Sequence, residues 1–366
     1  MPSCTARYRF IIRRIMDAVT AMTRLIGEID ESIRVFWNVP RERARSAPGP
    51  VVAFPCDFLP FEILSAFGIT PLVLPYSIQG ENQAGLVSRA LNAPDLYAAP
   101  VPCCLFKDGV RGTQSLSVDG IPPVPGEASI GAWRSLIESF IDSVVTGTAA
   151  SAPDRWRLRN ETEKYNTLRR AVRGIAALRA AKPSSMRQVH LLTVFRGALS
   201  LPFDIIYPII SRILDAINKA PETSTASGLP SMVSGCSTVN PEILDALEAE
   251  GFLINEDDLC GGRRSFDLSH NPDSDDLYGE ILHAFSFRPL CPCLRGTGDR
   301  FELLYRLAGS YGIETIIMLD GGECPMRKNQ IGETRVRLMR SGIDPLVLTA
   351  GKEIEEARMY IRNASA

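Results

Sequence analysis

Nine cysteines against three histidines make thiol chemistry the first thing this sequence offers. Thiolates hold iron–sulfur clusters and zinc, and the ligands of such centres need not be neighbours in sequence. No Cys-x-x-Cys pair occurs, which argues against zinc ribbons and bacterial-ferredoxin runs. Instead the cysteines follow apolar runs or turn residues. Cys56 comes after Val51–Pro55, Cys103 and Cys104 lie in Pro-Val-Pro-Cys-Cys-Leu-Phe-Lys, and Cys236 comes after Ser231–Gly235. Cys260 stands beside Gly261 and Gly262, Cys291 and Cys293 form Cys-Pro-Cys, and Cys324 follows Gly321, Gly322 and Glu323. Cys56 and Cys236 are each followed, six residues on, by Glu-Ile-Leu-x-Ala, starting at Glu62 and Glu242. Loops after the carboxyl ends of strands converge on one crevice in an open α/β sheet, so thiols placed there meet despite wide sequence separation.

Each cysteine also has a plain structural explanation, because a cysteine is often a small buried hydrophobe. Cys4 lies in the terminal segment and is given no role; Cys104 and Cys291 read as spare members of close pairs. Cys56, Cys103 and Cys324 sit among Pro and Gly, where packing explains less, and there the ligand reading ranks first. Arg263 and Arg264 beside a Gly pair suit a phosphate group, although two arginines after a turn are also ordinary surface residues. Glu62 and Glu242 fall near helix starts, where a carboxylate is favourable, and read as capping groups. His270 and His283 flank a predicted helix and read as surface or capping residues.

The elements that must position these groups follow from periodicity. At 366 residues two domains are the expectation. The net charge is −2 with both signs scattered, so no basic stripe points to nucleic acid and no polybasic run to a membrane surface. No apolar run approaches the roughly 20 residues needed to span a bilayer. Residues 5–36 predict an amphipathic helix, with Ile11, Ile12, Ile15, Met16, Val19, Met22 and Ile26 at three- and four-residue spacing. The segment lacks the apolar core of a secretory signal; its arginines also fit a transit peptide, but the helix is preferred. A cytoplasmic protein is therefore expected, in which disulfides are disfavoured.

A strand over 51–55, a helix over 62–67 and a strand over 71–75 form a predicted β-α-β unit. Residues 77–96 read as irregular and 109–127 as loop. Four helices follow, over 130–145, 154–181, 186–199 and 202–220. In the second, Trp156, Tyr165, Leu168, Val172, Ile175 and Leu178 form the expected buried stripe and the arginines a solvated face. Strands are then predicted at 231–235, 252–255, 313–319 and 345–348, with helices between them. The expected fold class is α/β, with two Rossmann-like lobes of mostly parallel sheet joined through a helical insert. The expected organisation is an arm (1–50), a first lobe (51–128), the insert (129–220), a linker (221–230) and a second lobe (231–366).

These residues resemble a known family. Cys56 with its following Glu-Ile-Leu-x-Ala, Cys103 to Lys107, Glu256 to Phe266 (Glu-Asp-Asp-Leu-Cys-Gly-Gly-Arg-Arg-Ser-Phe), Cys291 to Leu304 and Ile313 to Cys324 are similar to the 2-hydroxyacyl-CoA dehydratase superfamily. That superfamily also contains benzoyl-CoA reductase subunits and double-cubane cluster proteins. The resemblance runs from about Val51 to the end of the chain. It implies a two-lobed subunit in which Cys56, Cys103 and Cys324 hold a [4Fe-4S] cluster with one open iron. An ATP-dependent iron–sulfur activator protein would supply one electron, and water would leave an (R)-2-hydroxyacyl-CoA through a ketyl radical. A homologous second subunit or a second copy of the chain completes such enzymes, and an acyl-CoA is the substrate.

Two alternatives stay open. One is reductive: a double-cubane protein that reduces small molecules, with an [8Fe-9S] cluster on six cysteines that here would add Cys236, Cys260 and Cys293, or a benzoyl-CoA reductase-like subunit. A metal-free α/β scaffold subunit with buried thiols is the other. The chain departs from the family pattern in Gly-Gly-Glu-Cys-Pro around Cys324 and in Gly-Lys-Glu-Ile-Glu-Glu-Ala-Arg near the C-terminus, which leaves the acyl group undefined.

Overall fold

The computed structural model describes residues 4–47, 49–54, 57, 59–74, 77–78, 81–82, 96–98, 127–145, 153–220, 228–235, 241–288, 298–320, 325–349 and 351–364. Among them are two parallel sheets and a helical layer, an α/β fold as expected. The first sheet has the order β2-β1-β5, from β1 (Val51–Phe54), β2 (Thr70–Val73) and β5 (Leu96–Ala98). Both pairings of β1 are parallel. All four residues of β1 are buried, which is why its sequence is an unbroken apolar run rather than an alternating one. The helix α3 (Phe61–Ala66) connects β1 to β2, and Phe54 meets Phe61 and Phe140 at centroid distances of 5.8 and 5.7 Å. A short antiparallel pair, β3 (Ser77–Ile78) and β4 (Glu81–Asn82), lies within the stretch read as irregular. β5 was not predicted.

The second sheet has the order β7-β6-β8-β9, all parallel. Its strands are β6 (Leu229–Gly235), β7 (Phe252–Leu259), β8 (Thr315–Asp320) and β9 (Asp344–Thr349). Side chains alternate between its faces, as the period of a strand requires. Met232, Ile316 and Met318 join one apolar cluster with Leu304, Ala308 and Leu338. Val233, Ile317 and Leu319 point into the main core with Leu244, Leu247 and Ala357. The first face is covered by α10 (Gly298–Tyr311) and α11 (Pro325–Arg340), the second by α8 (Glu242–Ala249) and α12 (Glu353–Ala364).

The helical layer is built from α1 (Cys4–Asn38), α2 (Pro40–Ser46), α4 (Glu127–Val145), α5 (Arg155–Ala181), α6 (Gln188–Ser200) and α7 (Phe203–Lys219), with α9 (Leu277–Phe287) packed on α4. α1 lies against α6 and α7 through Met22, Leu25, Ile29, Ile33 and Phe36, and Trp37 donates to the Ser200 carbonyl at 3.0 Å.

Helix α5 departs most from its sequence reading. Trp156 is 68% exposed, so the buried stripe starts at Leu158. Three arginines expected on a solvated face turn inward instead. Arg169 pairs with Glu62 of α3. Arg173 donates to the carbonyls of Phe266 and Leu268, at 2.5 and 3.1 Å. Arg179 donates to the carbonyls of Ile254 and Met186 and to Glu248 Oε1 at 2.7 Å. An arginine stem packs along apolar surface while its five N–H groups satisfy several acceptors. One helix thereby pins both sheets.

Glu62 and His270 also differ from expectation. Glu62 is fully buried, and His270 is 4% exposed. His270 Nε2 lies 3.5 Å from Glu62 Oε1, the oxygen that also takes the Arg169 guanidinium. The capping role fails for Glu62 because α5 packs over α3 and brings a cation to it. His283 stays exposed, stacked on Phe287 at 4.6 Å.

Candidate functional site: the carboxyl edges of the two sheets

Both sheets reverse direction in the same way. The chain passes from β1 outward to β2 and returns to the other side of β1 as β5; it passes from β6 outward to β7 and returns to the other side of β6 as β8. The crevice at such a switch point, outside the carboxyl ends of its two strands, is where open α/β sheets bind ligands. The cysteines follow these strand ends. Cys56 comes two residues after β1 and Cys103 five after β5; Cys236 comes one residue after β6 and Cys324 four after β8. Cys260 directly follows β7.

Of the candidate ligands, Cys260 is the one within the described side chains; Cys56, Cys103, Cys104, Cys236, Cys291, Cys293 and Cys324 lie outside the described residues. Among the described residues no group of three or more His, Cys, Asp or Glu is arranged to hold a metal ion.

The Cys260 thiol is buried. Arg264, four residues on in a short turn (Arg263–Phe266), donates Nη2 to its sulfur at 2.8 Å. The same guanidinium reaches Asp258 Oδ1 at 3.4 Å. Asp258 Oδ2 accepts from Ser234 Oγ at 3.0 Å and from Arg300 Nη2 at 2.5 Å. Ser234 and Asp258 are register partners on adjacent strands, so β6, β7 and the start of α10 meet at one carboxylate. A buried carboxylate is tolerated only with such partners. In register terms Gly235 pairs with Leu259, and the residues that follow them are Cys236 and Cys260.

The neighbouring acids are buried too. Glu256 pairs with Arg263, whose guanidinium lies 4.9 Å from the centre of the Tyr311 ring. Asp257 accepts from the backbone N–H groups of Leu259 and Arg263 and from Gln188 Nε2, each at 3.2 Å. Burial nonetheless pushes its carboxyl up to about 6. Gly262 leaves room for this: a Cβ there would stand 2.0 Å from Asp257 Oδ1. Both arginines singled out for a phosphate are thus engaged within the chain.

Another ion pair ties the segment after β1 to the end of α9. Arg288, three residues before Cys291, donates to Asp57 Oδ2 at 2.9 Å and to the Asp57 carbonyl, and Asp57 is the residue after Cys56. The Arg288 guanidinium sits 4.1 Å from the Phe285 ring centre, and Phe285 packs edge-on against Trp133 at 5.3 Å. Sequence reasoning missed Asp57, Arg288, Arg300 and Ser234. Their positions beside cysteines and strand ends were the available signal, but their partners lie 24 to 231 residues away.

Two parallel sheets, each with a switch point whose strands lead in sequence into cysteines, define the class: an α/β subunit organised around its carboxyl edges. A model of the 2-hydroxyglutaryl-CoA dehydratase D-component family matches residues 113–350. The chain belongs to that family, and is a 2-hydroxyacyl-CoA dehydratase-like subunit. The matched stretch contains Cys236, Cys260, Cys291, Cys293 and Cys324 and begins after Cys56 and Cys103. No curated protein compared with the chain matches it. No helix among the described residues is long and apolar enough to cross a membrane.

Proposed function

We propose that this chain is the iron–sulfur subunit of an enzyme that removes water from an (R)-2-hydroxyacyl-CoA. The observation that carries the reading is the pair of matched switch points, whose strands lead in sequence into Cys56, Cys103, Cys236 and Cys324. In this reading Cys56, Cys103 and Cys324 hold a [4Fe-4S] cluster. The donor chemistry fits: these are thiols, the ligands such clusters take, and Cys260 shows a thiol of this edge buried with a guanidinium on its sulfur. When bound, the cluster supplies one electron at low potential and an open iron that acts as a Lewis acid.

The chain's own residues do the rest. Arg288 holds the backbone beside Cys56, and the Ser234–Asp258–Arg300 clamp holds the ends of β6 and β7 rigid. Rigid support of this kind keeps ligands preorganised. Arg264 we read as orienting Cys260. Arg263, which is partly exposed, is the better candidate for a coenzyme A phosphate. An ATP-dependent iron–sulfur activator protein delivers the electron, and a homologous subunit or a second copy completes the enzyme. The arm, two lobes, insert and linker drawn from the sequence are the domains we propose for it.

A second reading has its own observation. Gly235 and Leu259 are register partners immediately before Cys236 and Cys260, which favours a larger cluster using these two with Cys293. Iron and sulfide on anaerobically purified protein separate the readings: about four iron per chain supports the first, about eight the double cubane. Cys324→Ser should lose the iron in both, and Cys236→Ser only in the second. A colourless, iron-free wild-type protein overturns both and leaves the metal-free scaffold.

A further inference from the structure

The buried cluster formed by Glu62, Arg169 and His270 lies outside the cysteine edge and has no part in the proposed reaction. It joins three elements. Glu62 is on α3, Arg169 on α5, and His270 is in the loop between β7 and α9. All three side chains are at least nine-tenths buried. The loop is clamped at its backbone: Asn166 of α5 donates to the His270 carbonyl at 2.7 Å and accepts from the His270 N–H at 3.1 Å. Tyr165, on the same helix, meets Ser65 of α3 at 3.0 Å.

One carboxylate here faces one guanidinium, and the imidazole is the odd member. Glu62 Oε2 and both ring nitrogens of His270 make no hydrogen bond among the described residues. Neutral, His270 fits this space without adding charge. Protonated, it would place a second cation beside a carboxylate already taken by Arg169, away from water. The charged groups that face it are Glu62 from α3, Arg169 from α5 and Glu280 from α9. Glu280 is occupied in accepting from the Asn271 N–H at 2.8 Å.

We propose that Glu62, Arg169 and His270 form a proton-operated pin: with His270 neutral it fastens α3 and the loop after β7 to α5, and a proton on His270 releases them. Burial, reinforced by Arg169 and opposed by Glu62 and Glu280, holds the His270 imidazolium below its ordinary 6.5. For a base depressed in the fold, the stability it contributes is present above the unfolded value and is lost as the pH falls through the folded one. α3 starts five residues after Cys56, so release loosens the anchor of that segment. The inference does not depend on iron being bound.

The chain has three histidines, so the histidine ring signals of labelled full-length protein can be followed by NMR, with His270→Gln assigning one. Amide hydrogen exchange, corrected for the intrinsic effect of pH, is read in parallel over residues 61–66 and 268–271. The expected result is a loss of protection of about ten-fold per pH unit that begins as the pH falls below 6.5 and levels off where the His270 signal titrates. His270→Gln should keep its protection over that range. Should the variant not fold, the wild-type curves decide, because the loss of protection must end at the pH where His270 titrates. Titration of His270 without loss of protection overturns the pin. So does an equal loss in His270→Gln, or global unfolding before His270 titrates.

Discussion

The units that start at β1 and at β6 carry the same string, a cysteine followed six residues later by Glu-Ile-Leu-x-Ala, and use it differently. Both build a strand and then a helix, with Ile63 and Leu64 buried in one and Leu244 in the other. The glutamate that opens each helix has opposite fates. Glu62 is sealed under α5 and paired with Arg169, whereas Glu242 stays exposed in the first turn of α8. In the second unit the buried acids sit on the neighbouring strand instead, as Glu256, Asp257 and Asp258. A repeated motif specifies a local unit, and what packs on that unit decides whether its polar groups are surface or core.

The sharpest way to break this comparison is at Glu62. Glu62→Ala strands the Arg169 guanidinium and leaves the neighbourhood of His270 without its carboxylate. Removing one partner of a buried pair costs about 3–5 kcal/mol, which is a large fraction of the stability of a typical domain. Urea unfolding of the variant at pH 7.5 should show a loss of this size. A loss below about 1 kcal/mol would mean that α5 does not hold α3 through this pair.

The buried acids of the second unit give the next effect. Asp257 has a folded value of about 6 against an ordinary 3.8, raised by burial. For an acid shifted upward, the associated stability is full below 3.8 and lost as the pH rises through about 6. Asp257→Asn removes that loss. Its side-chain oxygen still accepts from the N–H groups of Leu259 and Arg263, and the Gln188 amide can turn its oxygen toward the new NH2 group. Relative to wild type the variant should gain about 1–3 kcal/mol between pH 4 and pH 7. Parallel stability–pH curves would sink the assignment.

Much of this was legible in the sequence, and the misses share a cause. The strand–cysteine–helix repeat, the helical layer and the parallel sheets follow from local apolar periodicity, which needs no knowledge of partners. The strand predicted over 252–255 continues as β7 through Glu256, Asp257 and Asp258 to Leu259. Arg263, Arg264 and Arg300 satisfy Glu256 and Asp258, and Asp257 takes Gln188 and two backbone N–H groups; Arg300 comes from a helix more than forty residues on. Arg169 and Arg179 were assigned to solvent for the same reason, since helical charge spacing cannot report a carboxylate on another element. Trp156 erred the other way: an aromatic at the first turn was counted as core, and its register leaves it outside. For the site, the candidate thiols were legible one by one. The Asp57–Arg288 tie between their segments was not, because 231 residues separate its ends.

Glu242→Ala is the foil to Glu62→Ala and the smallest effect of the set. Its carboxylate stands in the first turn of α8, where the helix dipole favours a negative charge by about 0.3–1 kcal/mol. Asp245 shares that turn and keeps a charge there, held by Arg187 Nη1 at 2.8 Å. Alanine also has the higher helix propensity, which offsets part of the loss. The expected change in urea unfolding is therefore a loss below about 1 kcal/mol, and it should shrink further at high salt, because an exposed charge is screened. A salt-insensitive loss as large as that of Glu62→Ala would show that the second unit also buries its helix-opening carboxylate, and the contrast between the two copies of the motif would collapse.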